Sequence, residues 1–294
     1  MNVNDWVQPA ELTSPITGLA VLLVGHDGVS PTKAVGSGVF VAPGLIMTVK
    51  HVLKEFWRLF ENPNVGELEE QKQKTPAFEL FAVQCPGSSS ATALWAASKI
   101  TLCPYSDLAV ISVVPVDALA KAHPIPNLAR MNVLPPGKGT KVAAFGYADT
   151  SVQTEVGNQV NFQLQPRIAR GTVTDVYPVS RDSVLLPFPS FEVETCFIGG
   201  MSGGPIFNEA DELCGLICSG YDDVPVASGV ALWPMLGIPI KHKGPGIVSD
   251  GKFPMFLLAK LGLMYVTGWD RIDGNVEEFE DTNGKRRVRL KLKS

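Results

Sequence analysis

The chain has 294 residues, of which 45% are apolar and 18% charged, and its formal net charge is −4. That balance belongs to a globular protein of one large or two small domains, and it leaves no basic surplus for nucleic acid or an anionic membrane surface. Glycine (28) and proline (23) are abundant, so short elements joined by tight turns are expected rather than long helices.

The first Lys or Arg is Lys33, and the apolar run 19–24 is too short for the core of a signal peptide. No window approaches the roughly 20 apolar residues of a membrane-spanning helix. The five cysteines (Cys85, Cys103, Cys196, Cys214 and Cys218) are odd in number, in a chain large enough to fold without staples. Reduced thiols and a cytoplasmic location are therefore expected. Cys214 and Cys218 fall in an apparent strand, where four residues span about 13 Å. Two ligands of one ion do not lie that far apart, and neither a metal nor another cofactor is expected.

In chain order, residues 19–24 read as a buried strand that stops at Gly25-His26-Asp27-Gly28. Residues 35–49 form a hairpin about Pro43-Gly44, and 52–60 have helical spacing with Leu53, Phe56, Trp57 and Phe60 on one side. Residues 61–77 are a polar surface loop. Strands follow at 78–83, 91–97 and 108–114, and Pro115 ends the last. A proline-rich connection, 115–137, leads to a second series at 140–146, 159–165, 168–176, 183–186, 191–196, 205–207, 213–218 and 228–233. Residues 254–261 read as a short helix with Pro at its start and Gly262 as its stop. Residues 276–292 form a hairpin about Asn283-Gly284. Its first arm is acidic (Glu277, Glu278, Glu280, Asp281) and its second basic (Arg287, Arg289, Lys291, Lys293). Many short strands with few helices define an all-β chain of barrels or sandwiches. The expected units are 1–125, 126–250 and a C-terminal extension, 251–294.

Three segments carry chemistry. The first is Gly199-Gly200-Met201-Ser202-Gly203-Gly204-Pro205. A nucleophilic serine needs an exposed hydroxyl with backbone N–H groups converging nearby, and glycines allow that bend. The same stretch fits G-x-S-x-G, but a nucleophile elbow is followed by a helix, whereas Pro205-Ile206-Phe207 reads as a strand. The second segment is Thr48-Val49-Lys50-His51-Val52, with His51 at a strand-to-helix junction. His26, in a turn, His123, in the proline-rich connection, and His242, in a basic loop, compete poorly. The third is Ser106-Asp107-Leu108-Ala109-Val110, where Asp107 opens an apolar strand. A buried Asp can accept the imidazole Nδ1–H and stabilise the imidazolium. In the order His–Asp–Ser, the first two fall in the first strand-rich half and Ser202 in the second, which implies a cleft between two β domains.

These segments resemble the trypsin/chymotrypsin-like serine proteases, over roughly residues 19 to 240. Gly36-Ser37-Gly38-Val39-Phe40 and the His51 segment look like the family's first strands and His motif. Gly200-Met201-Ser202-Gly203-Gly204-Pro205 looks like its nucleophile motif, and Arg170-Gly171-Thr172-Val173 like part of the second barrel. The resemblance implies two six-stranded antiparallel β barrels, with a short C-terminal helix and a hairpin tail added here. It implies a serine endopeptidase with His51, Asp107 and Ser202 as catalytic residues, and the amides of Gly200 and Ser202 as the oxyanion hole. It also implies substrate contacts at Cys196, Phe197, Cys218, Ser219 and Gly220. Met201 stands where digestive members carry an Asp, so activation by a freed N-terminus is not expected. Cys196 stands where trypsin holds an acid, so a neutral or apolar P1 residue is expected. A non-cleaving peptide-binding module and an esterase-like hydrolase on the same scaffold are the alternatives. The expected partner is a protein or peptide substrate, with 54–77 and the tail from 269 as candidate regulatory or oligomer contacts.

Overall fold

The structure is a computed structural model describing residues 6–12, 14–26, 32–59, 79–86, 91–122, 128–154, 160–220, 224–241, 252–280, 284 and 286–293. The loop expected at 61–77, Phe60, His123, His242, Asp281 and Asn283 lie outside the described residues.

A short strand, β1 (Val7–Pro9), precedes β2 (Ala20–His26), β3 (Lys33–Ala42), β4 (Leu45–Val49), helix α1 (Lys50–Leu59), β5 (Glu79–Gln84), β6 (Ala93–Leu102), β7 (Leu108–Pro115) and α2 (Ala118–Ala122). Strands β2-β3-β4-β7-β6-β5 close into an antiparallel barrel. All five residues of β4 are buried, and Phe40 meets Trp95 edge-on at 5.3 Å in the interior. Leu53, Phe56 and Trp57 form the buried side of α1, as their helical spacing predicts.

The second half runs through β8 (Met131–Asn132), β9 (Lys141–Tyr147), β10 (Ser151–Thr154), β11 (Val160–Gln163), β12 (Pro166–Tyr177), β13 (Ser190–Glu194), β14 (Pro205–Asn208), β15 (Leu213–Gly220) and β16 (Ala227–Val230). The order β14-β9-β12-β13-β16-β15, closed by β14–β15 pairing, makes a second six-stranded barrel. The two-barrel, all-β architecture expected from the sequence is what the chain adopts. Val7 of β1 pairs with Ala169 of β12, so the first described strand belongs with the second barrel although it precedes the first. Ala20, Leu22 and Val24 of β2 and Val83 of β5 pack against Phe145 and Tyr147 of β9 in one buried cluster, which seals the barrels together.

Two expectations are corrected. Residues 183–186 form no strand, because Asp182 Oδ1 accepts the amides of Val184, Leu185 and Leu186 and folds the segment into a turn. The strand expected at 228–233 ends at Val230, and Trp233–Leu236 is a one-turn helix, α3, with Pro234 in its first turn.

The extension adds β17 (Pro239–Ile240), β18 (Phe253–Pro254), α4 (Phe256–Lys260), β19 (Val266–Thr267), β20 (Ile272–Glu280) and β21 (Arg286–Leu292). Gly262 follows α4 at φ 71, the left-handed stop its glycine predicts. Met255 and Leu258 are fully buried in the same apolar cluster as the first barrel, and β19 pairs in parallel with β8. The extension is therefore part of the core rather than a free appendage. In the β20–β21 hairpin Glu277 lies opposite Arg289, and the two side chains pair at 3.0 Å. Tyr105 Oη donates to Glu278 Oε1 at 3.0 Å, which ties the hairpin to the loop before Asp107.

Candidate active site

The pairing of β4 with β7 brings His51 and Asp107 together. Val49 faces Leu108 at the end of that ladder, so the next residues in each direction meet just beyond it. The Lys50 amide donates to the Asp107 carbonyl at 2.8 Å. The His51 amide reaches Asp107 Oδ1 at 3.2 Å, and His51 Nδ1 lies 2.6 Å from Asp107 Oδ2. Both carboxylate oxygens are thus engaged by one residue. The amides at the start of α1 lack intrahelical acceptors, and an acid there also complements the helix dipole. Asp107 therefore caps the helix and orients the imidazole at once. The His51 side chain remains 40% exposed and that of Asp107 only 13%, so the imidazole opens to solvent while its partner does not.

Cys218 reaches the same carboxylate from the second barrel, with Sγ 3.6 Å from Asp107 Oδ2. Burial, reinforced by the nearby Asp107 charge, pushes this thiol well above its ordinary range, so at neutral pH it is a protonated donor. His51, Asp107 and Cys218 offer metal-ligating atoms within 4.8 Å of one another. The 2.6 Å His–Asp separation is a hydrogen bond, shorter than the spacing of two ligands around one ion. Cys214 donates instead to the Ile206 carbonyl, so the two cysteines of β15 serve different partners.

Ser202 sits in the turn between β13 and β14. The Met201 amide donates to Ile198 O at 3.1 Å, Gly204 to Met201 O at 2.9 Å, and Gly203 to Ile217 O at 2.8 Å. The amides of Gly200 and Ser202, by contrast, donate to no acceptor among the described residues. Gly200 has φ 89 and Gly203 φ 81, left-handed values that side chains disfavour. A Cβ on Gly203 would also overlap Thr48 Oγ1 and the Ser37 carbonyl, so glycine is what lets the turn press against β4, three residues from His51. Met201 is fully buried, which anchors the turn while Ser202 stays partly exposed.

The first barrel holds this turn from the other side. The Ser37 amide donates to the Ser202 carbonyl at 2.8 Å, and Ser37 Oγ donates to the Gly200 carbonyl at 2.9 Å. The Cβ position of Gly36 lies 3.0 Å from the Ser202 carbonyl oxygen and 2.7 Å from a methyl of Val52, the residue after His51. His51 and Ser202 therefore flank one point of β3. No hydrogen bond joins the Ser202 hydroxyl to His51 among the described residues; such contacts are often long in the free enzyme and tighten around substrate.

Of the expected substrate contacts, the Cys196 and Phe197 side chains are buried in the core of the second barrel. Gly220 is exposed and lies against Phe197, whose carbonyl oxygen would be 2.7 Å from a Cβ at Gly220. The Cys218 side chain faces Asp107, so only its backbone is available to a substrate strand. The thiol contact to Asp107 and the Ser37 clamp are site features that the sequence reading does not include. The only sequence signal for either was the residue type in a matching segment.

Two closed six-stranded antiparallel barrels, with a His–Asp pair on one facing a glycine-bound serine turn on the other, define the class of two-barrel hydrolase folds. The chain belongs to the trypsin-like peptidase family: the model for the trypsin-like peptidase domain matches residues 36–216. Among solved structures it is similar to the Rv3671c protease from M. tuberculosis in its active form (14% identity, TM-score 0.49, covering 83% of this chain and 92% of that one). It is also similar to the MamO protease domain from Magnetospirillum magneticum (14% identity, TM-score 0.47, covering 84% and 97%), and to Deg5 (14% identity, TM-score 0.47, covering 75% and 86%). A search of curated proteins gave no match. No helix among the described residues is long and apolar enough to cross a membrane.

Proposed function

We propose that the protein is a serine endopeptidase with Ser202 as nucleophile, His51 as general base and acid, and Asp107 as the residue that orients His51. The observation that carries this reading is the two-point His51–Asp107 bond beside a serine turn whose Gly200 and Ser202 amides are uncommitted.

Ser202 Oγ attacks the scissile carbonyl carbon as its proton passes to His51 Nε2. Asp107 holds Nδ1–H and stabilises the imidazolium without taking the proton. The carbonyl π electrons move to oxygen, and that oxyanion accepts the Gly200 and Ser202 N–H groups; one such donor is worth about 3 kcal/mol in related chemistry. Collapse breaks the C–N bond, and the imidazolium gives its proton to the leaving amine. Water then attacks the acyl ester, His51 takes its proton, and cleavage of the C–Oγ bond returns a proton to Ser202. The absence of an acid at Cys196 supports a preference for a neutral or apolar P1 residue. The five cysteines are buried and form no disulfide with one another, which suits a reducing compartment such as the cytoplasm. The tail hairpin, through Glu278 and Tyr105, is the surface through which a regulatory partner would reach the Asp107 loop.

Labelling by a fluorophosphonate, compared with the Ser202→Ala variant, tests the reading. Labelling of the wild type alone supports it, and peptide release from a protein substrate separates endopeptidase from esterase. A folded wild type that does not label overturns it in favour of a non-cleaving peptide-binding module.

A further inference from the structure

Ser37 is fully buried in β3, and its polar groups reach beyond its own strand pairing. Its amide donates to the Ser202 carbonyl at 2.8 Å. Its hydroxyl donates to the Gly200 carbonyl at 2.9 Å and accepts the Tyr147 amide of β9 at 2.9 Å. Its carbonyl accepts the Thr48 hydroxyl of β4 at 2.7 Å. One residue thus joins the strand leading to His51, the seam strand of the second barrel and the turn carrying Ser202.

The two carbonyls it holds belong to the same residues whose amides are uncommitted. The orientation of an N–H follows from rotations about its neighbouring peptide planes, and fixing the carbonyls of 200 and 202 fixes the planes on either side of the Ser202 amide. Gly200, as a glycine, has a wide choice of backbone conformation, and the Ser37 hydroxyl restrains its carbonyl. Without that hydroxyl, the Gly200 carbonyl and the Tyr147 amide would both lack this partner in a buried seam, and the Gly200–Met201 peptide plane would be held from its amide side alone, by the Met201 N–H on the Ile198 carbonyl.

We propose that Ser37 is a positioning residue for the oxyanion site: it acts through the Gly200 and Ser202 carbonyls to keep the two amides aimed at one point. The inference rests on the reading of Ser202 as nucleophile. A misplacement near 1 Å in such a site costs about 10²-fold in rate, comparable to the loss of one oxyanion donor.

The test measures kcat and KM on a peptide substrate, and inhibition by a peptide aldehyde whose hemiacetal oxygen occupies the oxyanion position. Wild type, Ser37→Ala and Ser37→Cys are compared, with thermal midpoints as a check on folding. Ser37→Ala is expected to lose about 10- to 100-fold in kcat while KM stays within about twofold. Aldehyde affinity should fall by the same factor, and Ser37→Cys, which keeps a weaker donor, should lie between. A folded Ser37→Ala variant with unchanged kcat, with a loss in KM alone, or with unchanged aldehyde affinity overturns the assignment. If the alanine variant does not fold, wild-type kcat and aldehyde affinity in Ser37→Cys overturn it. An inactive wild type overturns the Ser202 reading and this inference with it, whereas an active wild type beside an unchanged Ser37→Ala overturns this inference alone.

Discussion

Asp107 is bound from three directions: by the His51 amide, by His51 Nδ1 and by the Cys218 thiol. Asn at this position would keep the volume but offer an N–H where the imidazole needs an acceptor. Asp107→Asn is expected to lower kcat by about 10⁴-fold through the wrong imidazole tautomer, with KM nearly unchanged; steady-state kinetics on a folded variant checks this. Cys218 is distinguished by protonation. Because burial and then Asp107 hold its thiol well above the ordinary range, it should resist iodoacetamide in the native protein at pH 8 and react once the chain is unfolded. Peptide mapping after alkylation reads both states, and rapid native labelling of Cys218 would contradict the buried hydrogen-bonded thiol.

At the scale of elements, the 182–186 turn shows a side chain replacing a strand partner. The Val184 amide foremost, with those of Leu185 and Leu186, and the Arg181 side chain hold the Asp182 carboxyl down at about 2. A carboxyl with a depressed folded pKa stabilises the fold at pH values above its unfolded value near 4, and that contribution is lost as pH falls toward 2. Asp182→Ala should therefore speed amide hydrogen exchange at 184–186 at neutral pH, and the wild-type turn should loosen in the same way as the pH is lowered from about 4 to 2. Exchange unchanged by the substitution would mean that the turn is held by other contacts. The same turn shows what the sequence conceals. Val184, Leu185 and Leu186 look like a strand because apolar run and β propensity favour one, but the competing acceptor two residues upstream carries no periodic signal. Most barrel strands were legible as short apolar runs bounded by turn residues, α1 by its helical spacing, and the tail hairpin by Asn283-Gly284 between arms of opposite charge. Strand β1 was not, because its three residues are too few to show a period, and its partner lies in β12, far along the chain. The His51 and Asp107 segments were legible as strand ends, whereas the Ser37 clamp depends on Gly200 and Tyr147, which no local pattern connects to it.

At the scale of the whole molecule, the buried thiols give stability a dependence on alkaline pH. Burial pushes Cys103 up to about 11 and Cys214 to about 12, and it also raises Cys85 and Cys218. Unfolding returns these thiols to water, where they ionise near 9.0. A raised folded pKa means that stability is fully present below the unfolded value and lost as pH rises above it, at about 1.4 kcal/mol per pH unit for each thiol. The urea midpoint should hold between pH 7 and 8.5 and fall between pH 9 and 11, and Cys214→Ala should make the fall shallower. An equal slope in that variant would assign the decline to other groups.

The pairing of β1 with β12 also determines how the molecule responds to being cut. A protease nick between Ala122 and Leu128 would produce a first fragment that contains the entire first barrel and one strand from the second. Neither piece could leave without tearing that strand from its ladder and opening the apolar seam between β2 and β9. The nicked halves should therefore co-elute on a sizing column until denaturant is added, and a first fragment lacking residues 1–10 should be released more readily. Strand β1 is a clasp, reaching back from the first barrel's fragment to grip the second.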